Sequence, residues 1–299
     1  VKIYVKPWRF DMARDAVLTM IPPDIDVCAS LDLDEVLMPG WRQEIERVWK
    51  VGETTRLRYM FNWGGPVAFK YEKIHARFGY RWRHPVHEYP MPYGIEEVWA
   101  DTDFLMVVHK PDPTKSRAQY MPMLEMSVKE DPDCPRNAFY HARELSFHGR
   151  YKESIEACER YLKLPRATWS NERQYAYRTI GRCWIELGQF DKAETAFRMA
   201  AIETPNSREP WFELAKLMQK QDRFAEGYAA AWRCLAITNK ELVYTVDHDV
   251  WTGAPHNILA VCAYYLGLKD EARKHGAIAL NLSPENDLYR TNMEFYAAG

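Results

Sequence analysis

Chemistry is densest in the pentapeptide Leu31-Asp32-Leu33-Asp34-Glu35. On an extended strand, residues two apart share a face, which would put Asp32 and Asp34 together and Leu33 opposite. Two such carboxylates repel unless a positive charge lies between them. A hard divalent ion with oxygen ligands would supply it and keep positions open for phosphate oxygens. The same residues also describe a solvated acidic turn before a helix, with Asp34 or Glu35 near the helix N-terminus, and short acidic motifs are common enough to favour that alternative. A second group is GYRWRHPVHEYP (79–90), with Trp82, His87 and Glu88. Its plain alternative is a core tryptophan and a half-exposed His–Glu pair. A third is VVHKPDPTKSRAQ (107–119), where a strand leads into His109 and then Lys110, Lys115 and Arg117. Here the alternative is a strand-end histidine bonded to backbone.

The elements that would hold these groups differ along the chain. Residues 24–35 read as one strand ending in a polar tip, 41–50 as a helix with Trp41, Ile45 and Val48 on one face, and 56–63 as an alternating strand. KIYV (2–5) and 104–109 also read as strands, and 73–82 as two short strands around Gly79. Prolines 111, 113, 132 and 135 punctuate a joint in which only 120–129 reads as helical. The expected fold class is α/β plus all-α, with an α/β domain over 1–118, a linker over 119–135 and a helical domain over 136–299.

The second half repeats itself. HGRY (148–151), LGQF (187–190), QDRF (221–224) and LGLK (266–269) mark breaks at Gly149, Gly188, Asp222 and Gly267, at intervals of 39, 34 and 45 residues. Five residues after each break stand Ser154, Ala193, Gly227 and Ala272, and seven before stand Ala142, Gly181, Ala215 and Ala260. Small residues at those positions let paired helices approach closely. Residues 136–285 thus resemble the tetratricopeptide-repeat family, whose period is about 34 residues. The longer intervals imply insertions near 166–173 and 242–253. No single repeat buries its apolar face, so the repeats must stack. Tyr140, Arg178, Trp211 and Trp232 are conceivable contact residues of the stack, although aromatics at helical spacing are mostly core.

The first half resembles the middle of a family-two glycosyltransferase of the GT-A fold. Trp8, Phe10, Asp11, Ala13, Arg14, Asp32, Asp34, Glu35 and Pro39 match that family's pattern, and Asp15 departs from it. Trp82, Val86, His87 and Glu88 match a second motif. The resemblance implies a partial GT-A-like domain followed by a tetratricopeptide solenoid. It also implies a metal-dependent, inverting transferase that moves a sugar from a UDP- or GDP-linked donor to a protein or glycan acceptor. Asp32, Asp34 and His109 would hold Mn2+ or Mg2+. Arg14, Asp32, Lys115 and Arg117 would meet the donor's diphosphate, and Trp82 would be a platform for a sugar ring. Glu88 or His87 would serve as the base. For Arg14 alone, a surface ion pair is the simpler reading. The strand-helix-strand lobe that opens such domains would be expected upstream of Lys2, as the chain has no initiator methionine.

Composition bounds the alternatives. With 47% hydrophobic residues over 299 positions the chain can bury a core, and no apolar run is long enough to cross a bilayer. The 40 basic and 42 acidic residues give no basic field for nucleic acid. A local cluster of Arg56, Arg58, Lys70, Lys73, Arg77, Arg81 and Arg83, with Tyr59, Phe61 and Trp63 interleaved, nevertheless keeps DNA among the conceivable partners; a charge-protected strand edge explains it more simply. The six cysteines never approach metal-knuckle spacing and read as reduced thiols. The opening VKIYVKPWRF carries charges where a leader carries an apolar core, so a cytoplasmic location is expected. The reading opposed to an enzyme is a non-catalytic repeat scaffold on a degenerate transferase lobe. The repeats could in addition build a homodimer.

Overall fold

A computed structural model describes residues 4–64, 67–112 and 120–298. The chain divides into two compact units, Val1–His141 with Leu242–Tyr244, and Ala142–Glu241 with Thr245–Gly299.

The first unit is built on a five-stranded sheet. Its strands are β1 (Val27–Ala29), β2 (Glu35–Leu37), β3 (Arg56–Gly64), β4 (Val67–Ala76) and β7 (Trp99–His109), in the order β1-β4-β3-β7-β2. Only β3 and β7 run parallel; the other pairs are antiparallel. A two-stranded ribbon, β5 (Tyr80–Arg83) with β6 (Tyr89–Pro92), forms separately. The alternation of β3 puts Leu57, Tyr59 and Phe61 on one face, where they join Ile74, Leu105 and Val107. The helix α2 (Trp41–Val48) contributes Ile45 to the same core. Two more helices are α1 (Phe10–Met20) and α3 (Tyr120–Glu130). The helix α1 gives little periodic apolar signal, because only Asp11 and Leu18 are buried and Leu18 is the one apolar residue of the pair. KIYV falls partly outside the described residues, and its Tyr4 and Val5 are not in a strand.

The expected long strand over 24–35 is replaced by two short ones. β1 and β2 are the two outer strands of the sheet, and residues 30–34 join them. Ser30 N–H donates to Lys73 O on β4, Glu35 N–H to Asp32 O, and Lys110 N–H to Asp34 O. Asp32 and Asp34 therefore sit on a connection whose turn is closed by backbone hydrogen bonds, and Leu33 points fully into solvent. The alternation of a strand does not apply to them.

The second unit is helical. After α4 (Pro135–Phe147), which opens on a proline suited to a first helical position, come α5 (Tyr151–Lys163), α6 (Ser170–Glu186), α7 (Phe190–Glu203), α8 (Arg208–Lys220) and α9 (Phe224–Ala236). Then follow a 3-10 turn (His248–Trp251), α10 (Ala254–Tyr265), α11 (Lys269–Leu282) and α12 (Asp287–Ala298). The four breaks fall between α4 and α5, α6 and α7, α8 and α9, and α10 and α11. Gly149, Gly188, Asp222 and Gly267 have φ of 71°, 71°, 58° and 77°. At each, the following N–H reaches back over the end of the helix, as in Arg150 to Leu145 O, Gln189 to Trp184 O, Arg223 to Met218 O and Leu268 to Ala263 O. This is the helix-ending bond that a left-handed residue permits. The fold is thus a run of helical repeats, with the longest connection, 237–253, between α9 and α10. No helix among the described residues is long and apolar enough to cross a membrane.

Candidate functional site

Several of the singled-out residues of the first unit do meet, but as a closed charge network. Arg14, on α1, donates through Nε to Glu88 at 2.6 Å and through a terminal nitrogen to Asp32. The other oxygen of Asp32 accepts from Lys73 Nζ at 3.0 Å, and Lys73 lies 3.5 Å from Glu35. Glu35 in turn accepts the Asp32 N–H at 2.9 Å. Burial works against charge on Asp32, but Lys73 and then Arg14 outweigh it and hold its carboxyl below the usual range. Burial dominates at Glu35 and pushes its carboxyl up. Lys73 is buried too, yet its neighbours Tyr71, Asp32 and Glu35 more than offset desolvation and keep it charged. Two cations and three acidic groups thus satisfy one another.

The expected metal triad does not assemble. Asp32 turns to Arg14 and Lys73, while Asp34 turns to His109, whose Nε2 lies 3.5 Å away. His109 stacks on Trp63, with ring centroids 4.5 Å apart. Among the described residues, no three His, Cys, Asp or Glu side chains are placed to hold one metal ion. The physical reason is the pair of cations at Asp32: they relieve its repulsion with Asp34, which was the argument for an ion.

The other expectations are relocated in the same way. Trp82 is 2% exposed; it packs with Leu18 and Cys28, and the Arg14 guanidinium covers its ring at 4.7 Å. It offers no open face to a sugar. Its backbone N–H donates to the Asp15 carboxylate, which gives that residue a structural partner. Glu88, expected as a base, is the buried partner of Arg14. His87 has φ of 52° and stacks on Tyr140 at 3.9 Å. Lys115 and Arg117 lie outside the described residues. Of the basic cluster, Arg56 pairs with Glu97, Lys70 with Asp101 and Asp103, and Arg77 donates to Ile21 O, while Tyr59 and Phe61 are core.

In the second unit, one stripe of α6 carries Gln174, Arg178 and Arg182, at i, i+4 and i+8. Arg178 is completely buried and donates to Gln174, to Asp247 at 2.6 Å and to the Thr245 carbonyl at 2.7 Å. Arg182 reaches Asp247 as well, and Glu213 on α8 at 2.7 Å. Burial opposes charge on Asp247, but Arg178 and Arg182 outweigh it and depress its pKa. Val250 is fully buried in the core around α8 and α10, and Trp251 lies under Arg208 at 4.0 Å. Residues 245–251 of the long connection therefore cover Arg178, while Arg182 stays partly exposed. Trp211 is packed among α7 and α8 side chains and donates to Pro205 O, and Trp232 remains 40% exposed.

A different face of α6 stays open. Tyr177, Ile180 and Trp184 line a groove of about 490 Å³ between α5 and α7, with Leu162 on one wall and Met199 on the other. Lys163 and Lys192 stand at its rim, and the Lys192 ammonium lies 4.3 Å from the Trp184 ring. Sequence reading missed this groove because its apolar residues sit at ordinary core spacing.

No protein-family model matches the chain, and no curated protein matches it. Among solved structures it is similar to a chain of the APC/C hetero-tetramer Cut9-Hcn1 (15% identity over 60% of this chain, TM-score 0.49), of which it spans 33%. It is also similar to PilF of Pseudomonas aeruginosa (15% identity over 60% of this chain and 72% of that one, TM-score 0.47). A third is YrrB, described as a TPR protein with an unusual peptide-binding site (14% identity over 58% and 82%, TM-score 0.46). These are tetratricopeptide-repeat proteins, and none of them is a glycosyltransferase. The glycosyltransferase resemblance, with the enzymatic activity drawn from it, is corrected accordingly: the structural neighbours are repeat proteins, no family model supports a GT-A domain, and the expected metal side chains diverge. The helical part is tetratricopeptide-like, as its four helix-ending breaks and small-residue contacts show directly.

Proposed function

We propose that the chain is a non-catalytic scaffold that binds a segment of another protein on its helical repeats. The observation that carries this reading is a contrast. In the first unit Arg14, Asp32, Lys73 and Glu88 neutralise one another in a half-buried network, which leaves no poised acid, base or nucleophile among them. In the second unit an apolar groove with unneutralised lysines at its rim lies open to solvent. Binding surfaces of this kind gain affinity from a few anchored side chains, and repeat arrays supply the rigid helices that hold them.

The test is selection of a random 12-residue peptide library, displayed on phage, against the full 299-residue chain. Selected peptides are then resynthesised with a fluorescent label and measured by anisotropy. Specific binders are expected, and Glu88→Gln and Asp34→Ala should bind them as the parent does. A library that yields no specific binder, or binders lost in those first-unit variants, would overturn the scaffold reading.

A further inference from the structure

We infer that the groove between α5, α6 and α7 docks a protein segment carrying an apolar anchor side chain with acidic residues beside it. This rests on the scaffold reading and names the surface and the partner's chemistry. On the stripe of α6 formed by Arg178 and Arg182, Arg178 is already covered by residues 245–251 and Arg182 is already paired with Asp247 and Glu213. The face of Tyr177, Ile180 and Trp184 is available, as an open surface groove of about 490 Å³.

The lining dictates the anchor. Ile180, Leu162, Trp184 and Met199 offer carbon surface, and Met199 adapts to the shape of its guest. The apolar strip continues one turn along α7 to Ile202, which is 71% exposed. A single aliphatic or aromatic side chain therefore has a floor and two walls. The rim dictates the flanks. Lys163 and Lys192 are exposed, and among the described residues neither is paired with a carboxylate; Glu159 is the one acidic residue of the lining. Opposite charge on the segment would complete two ion pairs beside a desolvated apolar contact, which favours register and partner choice.

The experiment uses the selected peptides, resynthesised in three forms: as found, with Asp and Glu replaced by Lys, and with the apolar anchor replaced by Ser. The expected selection is a set with Leu, Met or Phe beside Asp or Glu. Lys163→Glu/Lys192→Glu should weaken the parent peptides at least tenfold and strengthen the lysine-bearing forms. Met199→Gln, at a half-exposed position, should weaken all forms, with thermal unfolding by circular dichroism unchanged. Peptides that bind equally well to both variants would place the scaffold's site elsewhere on the repeats and overturn this assignment alone. Sedimentation that shows a dimer, dissolved by Met199→Gln, would name a second copy as the occupant and overturn it too.

Discussion

Gly181 offers a sharp test of the repeat packing. A Cβ built there would lie 2.3 Å from Phe197 Cε1, 2.6 Å from Cδ1 and 2.7 Å from Cζ. Carbon atoms rest at about 3.5–4.0 Å, so Gly181→Ala must displace the ring by roughly 1 Å. Phe197 has no room to yield, being fully buried among Ala193, Leu214, Leu217 and Met218. In an unconstrained helix, Gly→Ala would stabilise by about 1 kcal/mol. Overpacking a dense core costs about 1–3 kcal/mol, so the net expectation runs from no gain to a loss of about 2 kcal/mol. Gly227 is the contrast. There the new carbon would meet Cys262 Sγ at 2.9 Å and other atoms no closer than 3.4 Å. Gly227→Ala is expected to change stability by less than about 0.5 kcal/mol, since propensity and crowding nearly cancel. Urea unfolding followed by helical circular dichroism measures both. In a Phe197→Leu background the smaller side chain makes room, and Gly181→Ala should recover most of its helical gain. A Gly181→Ala variant more stable than its parent by about 1 kcal/mol would mean that α6 and α7 do not approach as described, and the close-packing argument would fall with it.

Two further predictions concern buried charge. His75 is fully buried, its Nδ1 lies 2.8 Å from Ala76 O, and desolvation, helped by Arg56 and Arg77, lowers its pKa to about 4. The unfolded chain takes up that proton near pH 6.5, so this contribution is whole above pH 6.5, falls as pH drops towards 4 and is flat below. The difference between pH 8 and pH 4.5 is about 2.5 kcal/mol, to be absent in His75→Gln; a His75 ring whose NMR shifts titrate near pH 6.5 would refute it. Asp247→Asn removes the carboxylate shared by Arg178 and Arg182 and should destabilise the second unit by about 3 kcal/mol in urea unfolding at pH 7. Because the folded pKa of Asp247 is depressed, its contribution is present above about pH 4 and disappears as pH falls below that; equal midpoints for parent and variant at pH 7 would show that the arginines do not depend on it.

The repeats were legible because their determinants are local. A helix-ending left-handed residue, a small residue five positions on and another seven before are all read within a dozen residues. Even the size matching has a sequence trace: nine residues after the breaks stand Cys158, Phe197, Ala231 and Gly276, and glycine faces the one phenylalanine while alanine serves the others at 142, 215 and 260. Insertions near 166–173 and 242–253 were legible from the intervals. That residues 245–251 fold back on Arg178 was not, since sequence distance says nothing of which face a long connection covers.

What the residues alone determined, then, is a mixed first half, a helical repeat second half and the positions of the groups capable of chemistry. Only the tertiary structure decided how those groups are paired. Arg14, Asp32, Lys73 and Glu88 are far apart along the chain, and they meet because α1, the β1–β2 connection, β4 and the end of the β5–β6 turn converge. A carboxylate takes the nearest cation that folding brings to it. For Asp32 those cations are Arg14 and Lys73, and neither adjacency is written in the motif that made Asp32 and Asp34 look like a metal-binding pair.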